Sequence, residues 1–211
     1  MDEKSVVRAF DTINDMLIDR GVIKKEQRMN YTEDYIKETH KNEKIFKETI
    51  SVDSKKIHVV FYLHNKFTNT LFKTFLDPMA GTFTDDDHII FVYKDKFTSA
   101  NEKNIKNMYD MIGNANKKLQ YKLELFCIKN LLFNITKHEL VPKHEFMNND
   151  EAQEVYNQYS IKENQRTQKL PLLMTKTDPV SKYYDFKPGS LIKITRPSSS
   201  IGESISYRYC V

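Results

Sequence analysis

The chain has 211 residues, 33 Lys and Arg against 29 Asp and Glu, and a net charge of +4 that splits evenly, residues 137–211 holding 11 basic and 9 acidic side chains. That balance excludes a free-standing nucleic-acid binder with a strongly basic domain, and the absence of any apolar run near the roughly 20 residues of a bilayer span excludes a helical membrane protein. Two distant cysteines, Cys127 and Cys210, with no C-x-x-C spacing and no secretory leader, predict a reduced intracellular compartment.

Val6, Phe10, Ile13 and Leu17 recur at helical spacing, predicting a helix over 3–20 that ends at a left-handed Gly21. Its polar face carries Lys4, Arg8, Asp11, Asp15 and Asp19. Thr32, followed by Glu33 and Asp34, predicts the start of a second helix ending near Thr39 to Asn42. Strands are expected at Ile45 to Val52, Ile57 to Leu63 and Ile89 to Tyr93. The last two are continuous apolar runs and suit strands covered on both faces. A helix over 99–113 with Ile105, Met108, Tyr109 and Ile112 on one side follows, with Ser99 and Glu102 at capping-box spacing. After a polar turn at Asn114 to Lys118 comes a strand from Leu123 to Ile128, in which Cys127 reads as a small core residue. The order describes an α/β domain.

Near Thr136 the pattern changes. Pro142 lacks a donor and pushes Val141 to extended backbone, predicting a linker or edge segment. A short helix is expected from Asn149-Asp150-Glu151 through Tyr159, and another at Pro179 capped by Asp178. Leu191 to Thr195 and Ser204 to Arg208 read as two half-exposed strands joined by a Pro-Ser-Ser-Ser-Ile-Gly loop. This second region is small α+β.

Most catalytic chemistry finds no material. The six histidines show no H-E-x-x-H and no ligand quartet, and His138 and His144 suit hydrogen bonds that hold the linker. Asp85-Asp86-Asp87 reads as a solvated turn that could at most collect a hard cation. Five glycines leave no phosphate cradle, and no G-x-S-x-G is present. A Mg²⁺-dependent nuclease, the alternative reading, would need a carboxylate pair and a lysine. Asp53-Ser54-Lys55 supplies one half of that pattern, while Asp77-Pro78 reverses the other. One constellation remains, where Lys94 and Lys96 meet Ser99 and Lys103 at the expected start of a helix, an arrangement that attracts phosphate.

The C-terminal motifs, Leu140-Val141-Pro142-Lys143-His144, Gln168, Leu170-Pro171, Asp178-Pro179-Val180, Arg196-Pro197-Ser198, Gly202 and Tyr207-Arg208-Tyr209-Cys210-Val211, occur in an order that resembles the common subunit five of eukaryotic nuclear RNA polymerases and its shorter archaeal counterpart. Arg8-Ala9-Phe10, Thr12, Met16, Asp19-Arg20-Gly21 and Phe91-Val92-Tyr93 resemble the N-terminal region of the eukaryotic form, which the archaeal form lacks. The chain departs from the family pattern at Lys169, which stretches Gln-Leu-Pro, at Asp185, where Gly is usual, and at Ser199, where an acidic residue is frequent.

The resemblance implies an α/β N-terminal jaw domain, restriction-endonuclease-like, over 1–136, followed by a small α+β C-terminal assembly domain over 137–211. It implies a noncatalytic polymerase subunit without a cofactor, resident in the nucleus if cellular and in a viral factory or virion if encoded by a large DNA virus. The expected partners are the largest polymerase subunit and its neighbours, transcription regulators, and downstream duplex DNA through weak backbone contacts by Lys94, Lys96, Ser99 and Lys103. Docking is expected from Leu140, Val141, Pro142, His144, Leu170, Pro171, Asp178, Pro179, Tyr207 and Arg208. Tyr183, Tyr184 and Tyr209 are further aromatic anchors of the kind that dominate interfaces.

Overall fold

A computed structural model describes residues 3–40, 43–52, 55–79, 87–94, 97–112, 122–198 and 202–211. The chain divides into two compact units, Met1–Phe133 and Asn134–Val211.

The first unit opens with helix α1, Glu3–Asp19, whose Val6, Phe10, Ile13 and Leu17 are all buried. Gly21 takes φ 67°. The Gly21 N–H then reaches Ile18 O and the Val22 N–H reaches Leu17 O, which closes the helix with the two bonds of a Schellman motif. Helix α2, Glu33–Thr39, begins where expected, with Thr32 Oγ1 accepting from the Tyr35 N–H at 3.1 Å.

Strands β1 (Ile45–Val52), β2 (Lys55–Tyr62), β3 (His88–Tyr93) and β4 (Lys122–Cys127) form one sheet in that order. The β1–β2 pair is antiparallel; β2–β3 and β3–β4 are parallel. The apolar runs of β2 and β3 occupy its centre, and their alternate residues point to opposite faces. On one face Phe61 stacks near Phe10 of α1 and Phe46 of β1, at ring distances of 4.7 and 5.0 Å. On the other, Val60, Tyr62, Ile89 and Phe91 pack with Phe72 and Leu76 of helix α3 (Asn69–Leu76) and Ile105 and Tyr109 of helix α4 (Ser99–Ile112). Each such fully buried large side chain contributes about 1.5–3 kcal/mol. Helix α3 is an element the sequence reading did not anticipate.

Two local expectations need correction. The cap of α4 is Thr98, not Ser99: Thr98 Oγ1 accepts from the Asn101 N–H and Thr98 O from the Glu102 N–H, so Ser99 already lies inside the helix. Cys127 is only half-buried, its Sγ 3.9 Å from Lys94 O, because it ends an edge strand; Cys210 is the fully buried cysteine. The turn expected at Asn114 to Lys118 lies outside the described residues.

In the second unit, strands β5 (Lys143–Phe146), β6 (Leu172–Leu173), β7 (Leu191–Ser198) and β8 (Gly202–Cys210) form a sheet ordered β5-β7-β8-β6. The β5–β7 and β7–β8 pairs are antiparallel and β6 runs parallel to β8. Pro142 stands just before the edge strand β5, the place where a missing donor does least harm. Helix α5 (Asn149–Gln158) is closed by a reciprocal box between Asn148 and Glu151. A short helix α6, Arg166–Lys169, precedes β6. Helix α7, Pro179–Tyr184, starts at Pro179 under an Asp178 cap, 2.8 Å from the Ser181 N–H, as its sequence implies.

The β7–β8 hairpin is half-exposed only at its outer end. At its inner end Leu191 packs with Ala152, Val155 and Tyr156 of α5, while Ile192 and Ile194 pack with Leu173, Phe186 and Cys210 on the opposite face. Both faces are covered there, so strict alternation is lost. Asp185 adopts the left-handed conformation at φ 56° as the C-cap of α7. That backbone explains why a glycine suits this position, and aspartate is among the side chains that tolerate it best.

Candidate functional site

The residues expected to make a basic corner in the first unit lie after β3 and in the first turns of α4. Lys94 follows the last residue of β3, and its Nζ donates to Asn65 Oδ1 at 2.8 Å. Its backbone N–H donates to Tyr62 O at 3.2 Å, fixing the chain as it leaves the sheet. Ser99 and Lys103 are exposed in the first turns of α4, with Lys106 exposed a turn further on. Lys96 lies outside the described residues. Lys94 also lines an open cleft of about 820 Å³ with Lys37, Lys44, Lys66 and His64. Burial and the neighbouring Lys44 push the His64 imidazole below its ordinary range, so the cleft does not depend on that residue for its positive charge.

The same unit contains polar nodes that sequence reasoning missed. Glu124, on the apolar strand β4, accepts from Arg20 through both carboxylate oxygens at 2.8 and 2.9 Å and sits 2.6 Å from His88 Nε2. Lys122 Nζ adds a contact at 2.7 Å. Burial alone would raise the Glu124 carboxyl, but the hydrogen bonds from His88 and Arg20 and the charge of Arg20 outweigh it and hold the group far below the usual carboxylate range. The one available signal was an acidic residue inside Leu123-Glu124-Leu125, since a charge on a buried strand demands a partner.

His58 forms a second node, with Nδ1 3.0 Å from Thr49 Oγ1 and Nε2 3.3 Å from Asp87 Oδ2. Burial and then Lys47 lower its proton affinity, against the pull of Asp87. Asp87 is therefore a buried, paired carboxylate and not part of a solvated turn; Asp85 and Asp86 lie outside the described residues. Glu48 forms a third node, meeting His40 Nε2 and the hydroxyls of Tyr31 and Tyr35. These nodes tie strands to neighbouring elements, and none offers a nucleophile beside a base. Of the nuclease pattern, Asp53 lies outside the described residues and Asp77-Pro78 occupies an exposed 3-10 turn, Asp77–Met79, after α3.

In the second unit the expected docking residues divide into three groups. Leu140 is 84% exposed, and Pro171 and Pro179 are exposed too. Val141, Pro142 and Arg208 are half-buried. The others carry structural contacts within the unit. His144 Nδ1 lies 2.8 Å from Pro142 O and the Leu140 N–H donates to His138 Nδ1 at 3.2 Å, so both histidines hold the segment around Pro142 as expected. Leu170 and Tyr207 pack against the cluster around Tyr156, and Asp178 caps α7. Tyr183 is core, its hydroxyl accepting from Asn134 Nδ2 at 2.9 Å. Exposed apolar residues of this unit that the sequence did not single out are Phe146, Tyr159, Met174 and Ile205.

Comparison with known proteins identifies the family. The model of the RNA polymerase Rpb5 C-terminal domain matches residues 133–210. The DNA-directed RNA polymerases I, II and III subunit rpabc1 of Dictyostelium discoideum is 45% identical over 89 residues, covering 42% of this chain and 43% of the relative. The corresponding subunit of Caenorhabditis elegans is 40% identical over 92 residues, 44% of this chain and 41% of the relative. The chain thus spans about two fifths of the length of these eukaryotic relatives. The DNA-directed RNA polymerase subunit Rpo5 of Sulfolobus acidocaldarius is 46% identical over 77 residues, 36% of this chain but 86% of that protein. With most of a short relative matched at this identity, the chain belongs to the RNA polymerase Rpb5 family.

Proposed function

We propose that this chain is a noncatalytic structural subunit of a multisubunit DNA-dependent RNA polymerase. Its C-terminal unit docks on the largest subunit, and its N-terminal unit forms part of the lower jaw beside downstream DNA. The observation that carries this reading is the coincidence of the family match, 133–210, with the compact unit Asn134–Val211. A match that fills a whole folding unit concerns a module and not a stray motif, and the relatives' names are those of polymerase subunits. Leu140, Pro171 and Pro179, exposed and outside regular strands, support a docking role for that unit.

For the N-terminal unit, a mixed sheet with α1 on one face and α3 and α4 on the other is compatible with the restriction-endonuclease-like jaw of the family. Fold kinship of that kind carries no activity with it. Lys94, Lys96, Ser99 and Lys103 would position duplex DNA through its phosphates without reading sequence. Synthesis itself belongs to the large subunits. The family's eukaryotic members favour a nuclear location for a cellular polymerase.

Affinity purification of the tagged chain from its own cells tests the reading. Recovery of the two large polymerase subunits in stoichiometric amounts is expected. Recovery of the chain alone, or Mg²⁺-dependent cleavage of duplex DNA that Asp53→Ala abolishes, would overturn it.

A further inference from the structure

Beneath the end of β5 the second unit contains a cavity of about 410 Å³ whose lining includes Phe146, Asn149, Gln153, Tyr156, Arg166 and Ser190. Among the described lining residues Arg166 is the one charged side chain. Its guanidinium carbon sits 4.2 Å above the ring of Tyr156, which is itself buried, so the planar group is clamped against an aromatic face. Arg166 lines the cavity and its side chain keeps 22% exposure, so guanidinium N–H groups that the ring does not cover can meet a two-oxygen anion.

The donors of that guanidinium are not used up. Arg166 Nε is buried and, among the described residues, has no hydrogen-bond partner. Glu163, the carboxylate beside Arg166, lies 3.7 Å away, beyond hydrogen-bond range, and its side chain is 88% exposed. A buried donor of a charged group left unpaired is costly, so such a group calls for an explanation.

The rim supplies the second part of the argument. Phe146 ends the edge strand β5 and is 60% exposed beside the cavity, whose lining also includes Pro188. An aromatic platform next to a largely buried arginine is the composition of a protein-binding hot spot. A free inorganic ion would satisfy the arginine and leave the phenyl ring in water.

We propose that this cavity is a binding site for an acidic side chain presented by a partner polypeptide, the carboxylate pairing with Arg166 and an adjacent apolar residue covering Phe146. Asn149, Gln153 and Ser190 provide the remaining polar lining. None of the docking residues expected from sequence lines this cavity, although Leu170 and Tyr207 pack against the same Tyr156 cluster.

The test follows the Arg166 Nε–Hε resonance of the full-length, isotope-labelled chain by NMR. The ligands are the blocked dipeptide N-acetyl-glutamyl-leucine amide, its glutaminyl counterpart, and inorganic phosphate. The glutamyl peptide is expected to move the resonance saturably, with the glutaminyl peptide weaker by on the order of tenfold or more, the worth of a charge-assisted pair. Phe146→Ser, at an exposed position that leaves the core intact, is expected to weaken the peptide and not phosphate. Arg166→Gln is expected to abolish the peptide's shifts at Tyr156 and Ser190. No movement of the resonance with any ligand would show a guanidinium that takes no anion and would overturn the proposal. So would phosphate saturating at the same concentration as the peptide, or Phe146→Ser leaving the peptide's affinity unchanged.

Discussion

Replacing Glu124 by Ala is expected to destabilise the first unit more than any surface substitution could. Arg20 is 4% exposed and Glu124 12% exposed, and they share two hydrogen bonds at 2.8 and 2.9 Å. Removing the carboxylate strips a buried guanidinium of its bidentate partner, a change that costs about 3–5 kcal/mol at buried pairs. Lys122, 39% exposed, adds only about 0–1 kcal/mol, because water screens it. Glu124→Gln keeps the shape and one acceptor and is expected to cost less, about 1.5–3 kcal/mol, the worth of hydrogen bonds to a charged group. The paired change Arg20→Met with Glu124→Leu removes both charges, so it is expected to recover much of the loss. Hydrogen exchange read by mass spectrometry localises the effect, since peptides covering 88–93 and 122–127 report the strands that carry the node. If Glu124→Ala lowers the opening free energy of those peptides by less than about 1 kcal/mol, the node behaves as a solvated pair and the reasoning from burial fails.

Other outcomes follow from the same geometry. His58 titrates below its ordinary value of 6.5 when folded, so its contribution is complete above pH 6.5 and declines as pH falls toward the lowered value. The depressed Glu124 carboxyl adds a second loss below its ordinary 4.5. Urea midpoints measured across this range are expected to fall in two steps, and His58→Gln should shrink the first, to which His64 and His144 also contribute, and leave the second unchanged. Gly21→Ala meets no atom within 4 Å but forces a methyl-bearing residue to φ 67°, for a cost of about 1 kcal/mol in thermal unfolding. Asp178→Ala removes the cap of α7 and should cost about 1 kcal/mol, with faster exchange at Ser181. Cys210 is fully buried, with burial raising its thiol to about 11; alkylation at pH 8 should spare it until the second unit unfolds.

The parts of the fold that could be read from the chain are those where local chemistry and burial agree. The runs Ile57 to Tyr62 and Ile89 to Tyr93 are apolar because both faces of β2 and β3 are covered, and Asp178-Pro179 places a cap and a first-turn proline side by side. Helix α3 escaped because its Leu71-Phe72 and Phe75-Leu76 pairs lie in an eight-residue stretch, too short for periodicity to separate helix from strand. Strand β5 was hidden by the proline before it and by its length of four residues. The Arg20–Glu124 pair joins positions 104 apart, so only the tertiary fold reveals it.

The site residues were legible unevenly for the same reason. Exposed Leu140 and Pro171 declare themselves as apolar residues outside regular runs, yet nothing local distinguishes them from Leu170, which turns inward to the Tyr156 cluster. Thr98 displaced Ser99 as the cap of α4 because both residues suit that position and the Asn101 N–H bonds to Thr98 Oγ1. Arg166 became notable only once the fold laid it across Tyr156.

Cross-linking mass spectrometry of the polymerase purified through this chain tests the central claim most directly. Cross-links from lysines of the second unit, Lys143 and Lys176 among them, to the largest subunit are the expected result. A purified polymerase in which those lysines link to no polymerase subunit would contradict it.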